Sequence, residues 1–259
     1  MTSTLDLPRV EAVTPPRRLL LHSLRPAARA ILRRRFGVRV LHGERVPKHG
    51  PVIVAGNHVG VLDGPLLAVL TPRPVHALTK EEMFAGRMGL LLRSSGQIPL
   101  NRYAADPLAI KTCVRVLRDG GAVGVFPEGG RGDGELRRFH HGAAYLALVT
   151  GAPVVPLMMF GTRPPGGGLN ALPERGERVD LWYGEPWHVE PVPWPRSRAT
   201  VLEASALLRE RMLGDLAAAK AETGRTLPGP IPGPTPDDPD TGFVDRTDPM
   251  DDREMEPGA

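Results

Sequence analysis

The chain has 259 residues, 33 Lys and Arg against 29 Asp and Glu for a net charge of +4, and 41% hydrophobic residues, enough for one large core or two small ones. Its single cysteine, Cys113, excludes an intrachain disulfide. With no Cys/His ladder a structural zinc site is also excluded, and the composition suits a reducing, cytoplasmic setting.

Met1 to Val13 is polar and lacks the apolar core and cleavage site of a secretory signal. Pro15 to Arg35 places Leu20, Leu24, Ala27, Ala28, Ile31 and Leu32 at helical spacing, with Arg17, Arg18, Arg25, Arg29, Arg33, Arg34 and Arg35 in the remaining positions. Pro26 is expected to kink such a helix. A basic amphipathic helix either lies on a membrane surface or covers the core with a solvated arginine face. Strands are then predicted at Val38–Leu41, Val52–Ala55, Val75–Thr79, Ile98–Leu100, Ala122–Phe126, Val154–Phe160 and Val179–Tyr183. Helices are predicted at Gly64–Leu70, Gly86–Ser94, Pro107–Asp119 and Leu136–Val149, with a long C-terminal one at Ser197–Thr223. This alternation predicts a single α/β domain with a largely parallel, helix-covered sheet. The run Gly142 to Gly161 has no charged residue, but Gly151 and Pro153 interrupt it. It therefore reads as a helix and a buried strand rather than a membrane span.

After Gly224 the composition changes. Residues 225–259 are rich in Pro and Gly and carry three Arg against nine Asp and Glu, a net −6 that leaves +10 on residues 1–224. The organisation expected is a basic N-terminal segment (1–35), an α/β domain with its C-terminal helix (36–224), and an acidic disordered tail (225–259). A basic body points to an anionic surface or ligand. With 5% aromatic residues and no recognition motif, that ligand is not expected to be nucleic acid.

Four short segments carry chemistry. Asn57-His58-Val59-Gly60-Val61-Leu62-Asp63 follows an apolar strand, and its His and Asp form a plausible base and orienting pair. Gly96 to Arg102 ends in an arginine able to pair with phosphate oxygens. Phe126-Pro127-Glu128-Gly129-Gly130-Arg131-Gly132 is a glycine-dense turn holding one carboxylate and one guanidinium. Pro153-Val154-Val155-Pro156 has no reactive group and serves packing or acyl contact.

Together these segments resemble the glycerophospholipid acyltransferases of the 1-acylglycerol-3-phosphate acyltransferase type. The motif N-H-x-S-x-x-D matches Asn57, His58 and Asp63; G-x-I-x-x-x-R resembles Gly96, Ile98 and Arg102; F-P-E-G-T-R-S matches Phe126, Pro127, Glu128, Gly129 and Arg131. The fourth, an apolar V-P strand, looks like Pro153 to Pro156. Lys80 resembles a lysine the family often carries between its first two motifs. Gly60 stands where the first motif usually has serine, and Gly130 and Gly132 where the third has threonine and serine.

The resemblance, covering roughly residues 36–190, implies a transfer of a fatty acyl group from acyl-CoA or acyl-carrier protein to the free hydroxyl of 1-acylglycerol 3-phosphate, giving phosphatidic acid. It implies His58 as general base oriented by Asp63, and Arg102, Glu128, Gly129 and Arg131 around the acceptor phosphate, with Asn57 and Lys80 in support. Glu128 is expected to position a hydroxyl or an arginine rather than act as a second base. No metal and no cofactor beyond the thioester co-substrate is implied. The expected setting is peripheral, on the cytoplasmic face of the cell membrane. Alternatives are an acyltransferase for a different lipid acceptor, a metal-dependent phosphoesterase using His58, Asp63, Glu128 and His140 or His141, and a non-catalytic anionic-lipid binder. His140 and His141 otherwise read as solvent-facing residues before a helix.

Overall fold

The computed structural model describes residues 8–17, 19–232 and, as a backbone strand, 244–246. A seven-stranded sheet runs through the molecule: β1 (Gly37–Leu41), β2 (Val52–Gly56), β3 (His76–Lys80), β4 (Ile98–Leu100), β5 (Ala122–Val125), β7 (Val154–Phe160) and β8 (Arg178–Tyr183). Their order is β1-β8-β7-β2-β5-β3-β4, and every pairing is parallel except β7 with β8. A short β6 (Arg138–His140) pairs antiparallel with β9 (Val244–Arg246).

β2 and β7 are apolar along their whole length because helices cover both faces. Val52 and Val54 face one layer, with Leu66, Leu67 and Leu70 of α3 (Asp63–Leu70). Ile53 and Ala55 face the other. That second layer holds α5 (Pro107–Arg118), α6 (Gly142–Thr150) and α7 (Arg198–Thr223). α7 starts on a Ser197 cap that accepts from the Thr200 N–H. Cys113 is buried in α5, and burial pushes its thiol pKa up. The uncharged run 142–161 is α6 and β7, joined through Gly151 in the left-handed conformation. Among the described residues no helix is long and apolar enough to cross a membrane.

Three expectations change. The segment 15–35 forms two helices, α1 (Leu19–Ser23) and α2 (Arg25–Arg35), and Pro26 begins the second rather than kinking one. Its arginines are not all turned to solvent. Arg25 donates to the carbonyls of Val69 and Thr71, and Arg29 to that of Leu70. These are C-terminal carbonyls of α3, which lack partners within their own helix, so the two cations complete that helix end. Arg35 reaches the Pro173 carbonyl and lies 4.8 Å over the Phe36 ring.

The predicted helix 136–149 begins only at Gly142. Leu136 has φ 56°, outside helical space, and residues 138–140 form β6. His140 packs on Gly129, and His141 is buried with its Nδ1 2.8 Å from Ser205 Oγ, so neither is a solvent-facing pair member.

Finally, the tail does not begin at Arg225. Leu227 packs on the core, Pro228 is buried and its carbonyl accepts from the Gly166 N–H, and Arg225 donates to the Arg178 carbonyl. Residues 233–243 and 247–259, the bulk of the expected tail, lie outside the described residues.

Candidate active site

The loops that follow β2, β5 and β4 meet at the C-terminal edge of the sheet, where open α/β sheets form their ligand crevices. Asn57, fully buried, fixes the first loop. Its Oδ1 accepts from the Met159 N–H at 2.8 Å and its Nδ2 donates to the Met159 carbonyl at 3.2 Å, tying the end of β2 to β7.

His58 follows with a partly exposed ring. Its Nδ1 lies 2.8 Å from Asp63 Oδ2, and the same oxygen accepts the N–H groups of Val59 and Gly60 at 2.7 and 2.8 Å. Asp63 has no solvent exposure and opens α3, whose N-terminal peptide dipoles favour a carboxylate. With Nδ1 donating to that carboxylate, His58 presents Nε2 as the proton acceptor. The ring stacks on Phe126, centroids 4.1 Å apart and planes 16° from parallel.

Glu128 Oε1 accepts the His58 backbone N–H at 2.7 Å, joining the β5 loop to the β2 loop, and Gly132 N donates back to the His58 carbonyl at 2.8 Å. Burial pushes the Glu128 carboxyl up to about 8, although the His58 N–H opposes the shift. Gly129 has φ 72°, and a Cβ there would stand 2.3 Å from the His140 ring, so only glycine serves.

The Gly129 carbonyl accepts from Arg102 Nη1 at 3.1 Å. Arg131 Nη1 donates to the Leu169 carbonyl at 2.7 Å and to Asn170 Oδ1 at 3.0 Å in the loop after β7. Burial lowers the Arg131 pKa, Asp63 opposes this and Arg102 adds to it, so Arg131 lies within electrostatic reach of both Asp63 and Arg102. Lys80 ends β3 in register with Leu100 on the same sheet edge. Among the described residues no three His, Cys, Asp or Glu side chains are grouped to hold a metal ion.

The acyltransferase family model matches residues 37–160. Over 166 residues the chain is 34% identical to a protein named 1-acyl-sn-glycerol-3-phosphate acyltransferase from Bacillus subtilis, covering 62% of this chain and 79% of that one. The chain belongs to the acyltransferase family. A like-named protein of Borreliella burgdorferi is 31% identical over 133 residues, covering 49% of this chain and 53% of that one. The beta form of Homo sapiens is 33% identical over 129 residues, covering 48% and 46%. The chain thus spans about half the length of these two relatives. A solved structure described as the 1-acyl-sn-glycerophosphate (LPA) acyltransferase PlsC from Thermotoga maritima shares the fold, with a TM-score of 0.58 over 77% of this chain and 80% of that one at 24% identity.

In this acyltransferase, three of the four sequence motifs converge on His58. The fourth does not: Val154, Val155 and Pro156 pair with Ile53, Val54 and Ala55 in the middle of β2 and are buried in the sheet. Two contributors went unread in the sequence. Phe126 reads in the sequence as a strand end and a motif residue, yet it supplies the surface under the imidazole. Arg163, 1% exposed, donates to the Val59 carbonyl beneath the His58 loop at 2.8 Å. It follows a buried strand at the same sheet edge as Arg102 follows β4, which is the one clue the sequence offers.

The glycine substitutions within the acyltransferase motifs differ in cause. A Cβ at Gly60 would lie 2.5 Å from the Thr162 carbonyl oxygen, so backbone occupies the volume of the usual serine side chain. At Gly132 the nearest atom would be Glu128 Oε2 at 3.8 Å, an ordinary contact. Restoring serine at position 60 is therefore expected to lower stability by about 1–3 kcal/mol, because the Thr162 backbone must shift, whereas Gly132→Ser should stay within about 0.5 kcal/mol of the parent. Urea denaturation of the two variants checks the contrast.

Glu128 yields a pH prediction. Between about 4.5 and about 8 the folded protein retains a proton that the unfolded chain has lost, so this carboxyl opposes folding increasingly as pH rises. Glu128→Gln removes that dependence. The melting temperature of the variant relative to wild type should rise across this window and level off above it, as read by thermal melts in a pH series.

Proposed function

We propose that this acyltransferase moves a fatty acyl group from an acyl thioester, acyl-CoA or acyl-carrier protein, to the free hydroxyl of 1-acylglycerol 3-phosphate, giving phosphatidic acid. The observation that carries the reading is the 2.8 Å contact of His58 Nδ1 with the buried Asp63 carboxylate. The names of the relatives support the acceptor.

In this scheme Nε2 of His58 takes the proton of the acceptor hydroxyl as its oxygen attacks the thioester carbonyl. The tetrahedral adduct collapses, the carbon–sulfur bond breaks, and the proton on His58 passes to the departing thiolate. No acyl-enzyme and no metal or cofactor is required. Asp63 holds the ring and balances the imidazolium charge. Arg102 and Arg131 bind the acceptor phosphate through charge-assisted guanidinium N–H bonds. Glu128, with its carboxyl raised to about 8, stays protonated at neutral pH and adds no charge against the phosphate. Gly129 and Asn57 shape the loops, and Lys80 stands by as a further cation on the sheet edge.

The enzyme works, in this reading, as a peripheral protein on an anionic membrane surface at the cytoplasmic face, where its thioester donors are found. Support comes from apolar side chains turned outward beside cations. Leu19 and Leu24 flank α1, and Met88, Leu90 and Leu91 lie on α4 (Gly86–Ser94), which packs against α1. Arg17 before α1, Arg33 and Arg34 on α2, and Arg87 and Arg93 on α4 are exposed as well. Apolar burial plus about 1 kcal/mol per surface arginine suffices for reversible attachment.

Two experiments test the reading. His58→Ala should lower acyl transfer at least ~100-fold while leaving the fold intact. Arg102→Ala should weaken the lysophosphatidate KM about tenfold or more and leave the thioester KM near wild type. A folded His58→Ala protein with near-normal turnover defeats the mechanism. For the membrane, deletion of residues 1–35 is uninformative because it strips Arg25 and Arg29 from the end of α3. Replacing Met88, Leu90 and Leu91 together with Gln should instead reduce partitioning to phosphatidylglycerol vesicles roughly 100-fold, the loss of about 1 kcal/mol of apolar burial per residue. Unchanged vesicle sedimentation would remove α4 from the contact.

A further inference from the structure

Arg163 lies three residues beyond β7 and joins four separate stretches of backbone. Nε donates to the Val59 carbonyl in the His58 loop at 2.8 Å, Nη1 to that of Gly167 at 2.7 Å, and Nη2 to that of Gly132 in the Glu128 loop at 3.0 Å and to that of Gly229. A guanidinium taken fully out of water is costly unless its N–H fork is filled by fixed acceptors. Here one acceptor is a carbonyl of the imidazole-bearing loop and another a carbonyl of the adjoining Glu128 loop. The imidazole-bearing loop is also held by the Gly132 N–H on the His58 carbonyl and by the Thr162 backbone against Gly60. The Gly229 carbonyl comes from the segment after α7. This segment is anchored by Arg225 on the Arg178 carbonyl, by Leu227 in the core and by the Pro228 carbonyl on the Gly166 N–H.

We propose that Arg163 is a positioning residue for acyl transfer, and that residues 225–232 form a strap whose Gly229 carbonyl completes the brace beneath His58. Arg163 touches neither substrate nor the His58 ring. It acts by keeping the Val59 and Gly132 carbonyls at a fixed separation, which sets the tilt of the imidazole over Phe126. The inference rests on the acyl-transfer reading for its kinetic part only. A displacement of the base by about 1 Å costs roughly 100-fold in the chemical step and leaves substrate binding nearly unchanged.

The test uses the full-length protein with oleoyl-CoA and 1-acylglycerol 3-phosphate. Arg163→Lys keeps the charge and loses the fork. Gly229 has φ 78° with open space around an added Cβ, so Gly229→Val disturbs the strap through backbone conformation without a clash, while Gly229→Asn tolerates the same conformation. Expected are a kcat about 30- to 100-fold lower for Arg163→Lys and about tenfold lower for Gly229→Val, both KM values within about threefold of wild type, and Gly229→Asn near wild type. Hydrogen exchange of the Val59, Gly60 and Gly132 amides should quicken in the first two variants while the β2 and β5 amides stay protected. A normal kcat in Gly229→Val, a change confined to KM, or unaltered exchange in the loop overturns the proposal. Should the wild type transfer no acyl group, the acyl-transfer reading fails, and the exchange measurement still decides whether the brace exists.

Discussion

Asp63 Oδ2 receives the His58 ring and two successive backbone N–H groups at a point with no solvent exposure. A carboxylate in that position is costly unless donors and positive charge offset its burial. The compensation dictates the local fold. The chain must turn back so that the N–H groups of residues 59 and 60 converge, and α3 must start at residue 63 so that its dipole faces the charge. Arg131 and Arg163 must lie close enough for their fields to reach it. The Thr162 backbone, packed against this turn, leaves no room for a serine side chain at position 60.

The arginines divide by environment. Arg25, Arg29 and Arg163 look interchangeable with surface arginines in the sequence, yet each ends on backbone carbonyls at a helix end or in a loop. Placing a guanidinium there recovers hydrogen bonds that helix ends and loops would otherwise leave unmade. The strongly positive body of the chain is therefore partly an internal device, and only its outward fraction is available to an anionic surface.

The strands were legible because a strand buried on both faces requires an unbroken apolar run, and Val52–Ala55 and Val154–Phe160 are such runs. The cluster of His58, Asp63, Glu128 and Gly129 was legible because each follows a strand end, and strand ends of a parallel sheet share one edge. What escaped depends on partners far away in the chain. Leu136 continues a helical pattern, and its positive φ cannot be read from leucine. Residues 225–232 have the composition of disorder, but their order comes from donors on Gly166 and Arg163 some sixty residues away. The roles of Arg25 and Arg29 depend on a helix end about forty residues downstream.

The burial of Cys113 bears on the chemistry of thioesters. A surface thiolate meeting an acyl thioester exchanges with it and becomes acylated in a side reaction that needs no enzyme machinery. Here the sole thiol of the chain lies within the α5 layer, protonated and closed to solvent. The folded protein can thus stand in a pool of activated acyl groups without labelling itself. With the thioester donor proposed above, a free thiol released during turnover is that of the leaving group, so a thiol-reactive dye counts reaction cycles against a silent protein background.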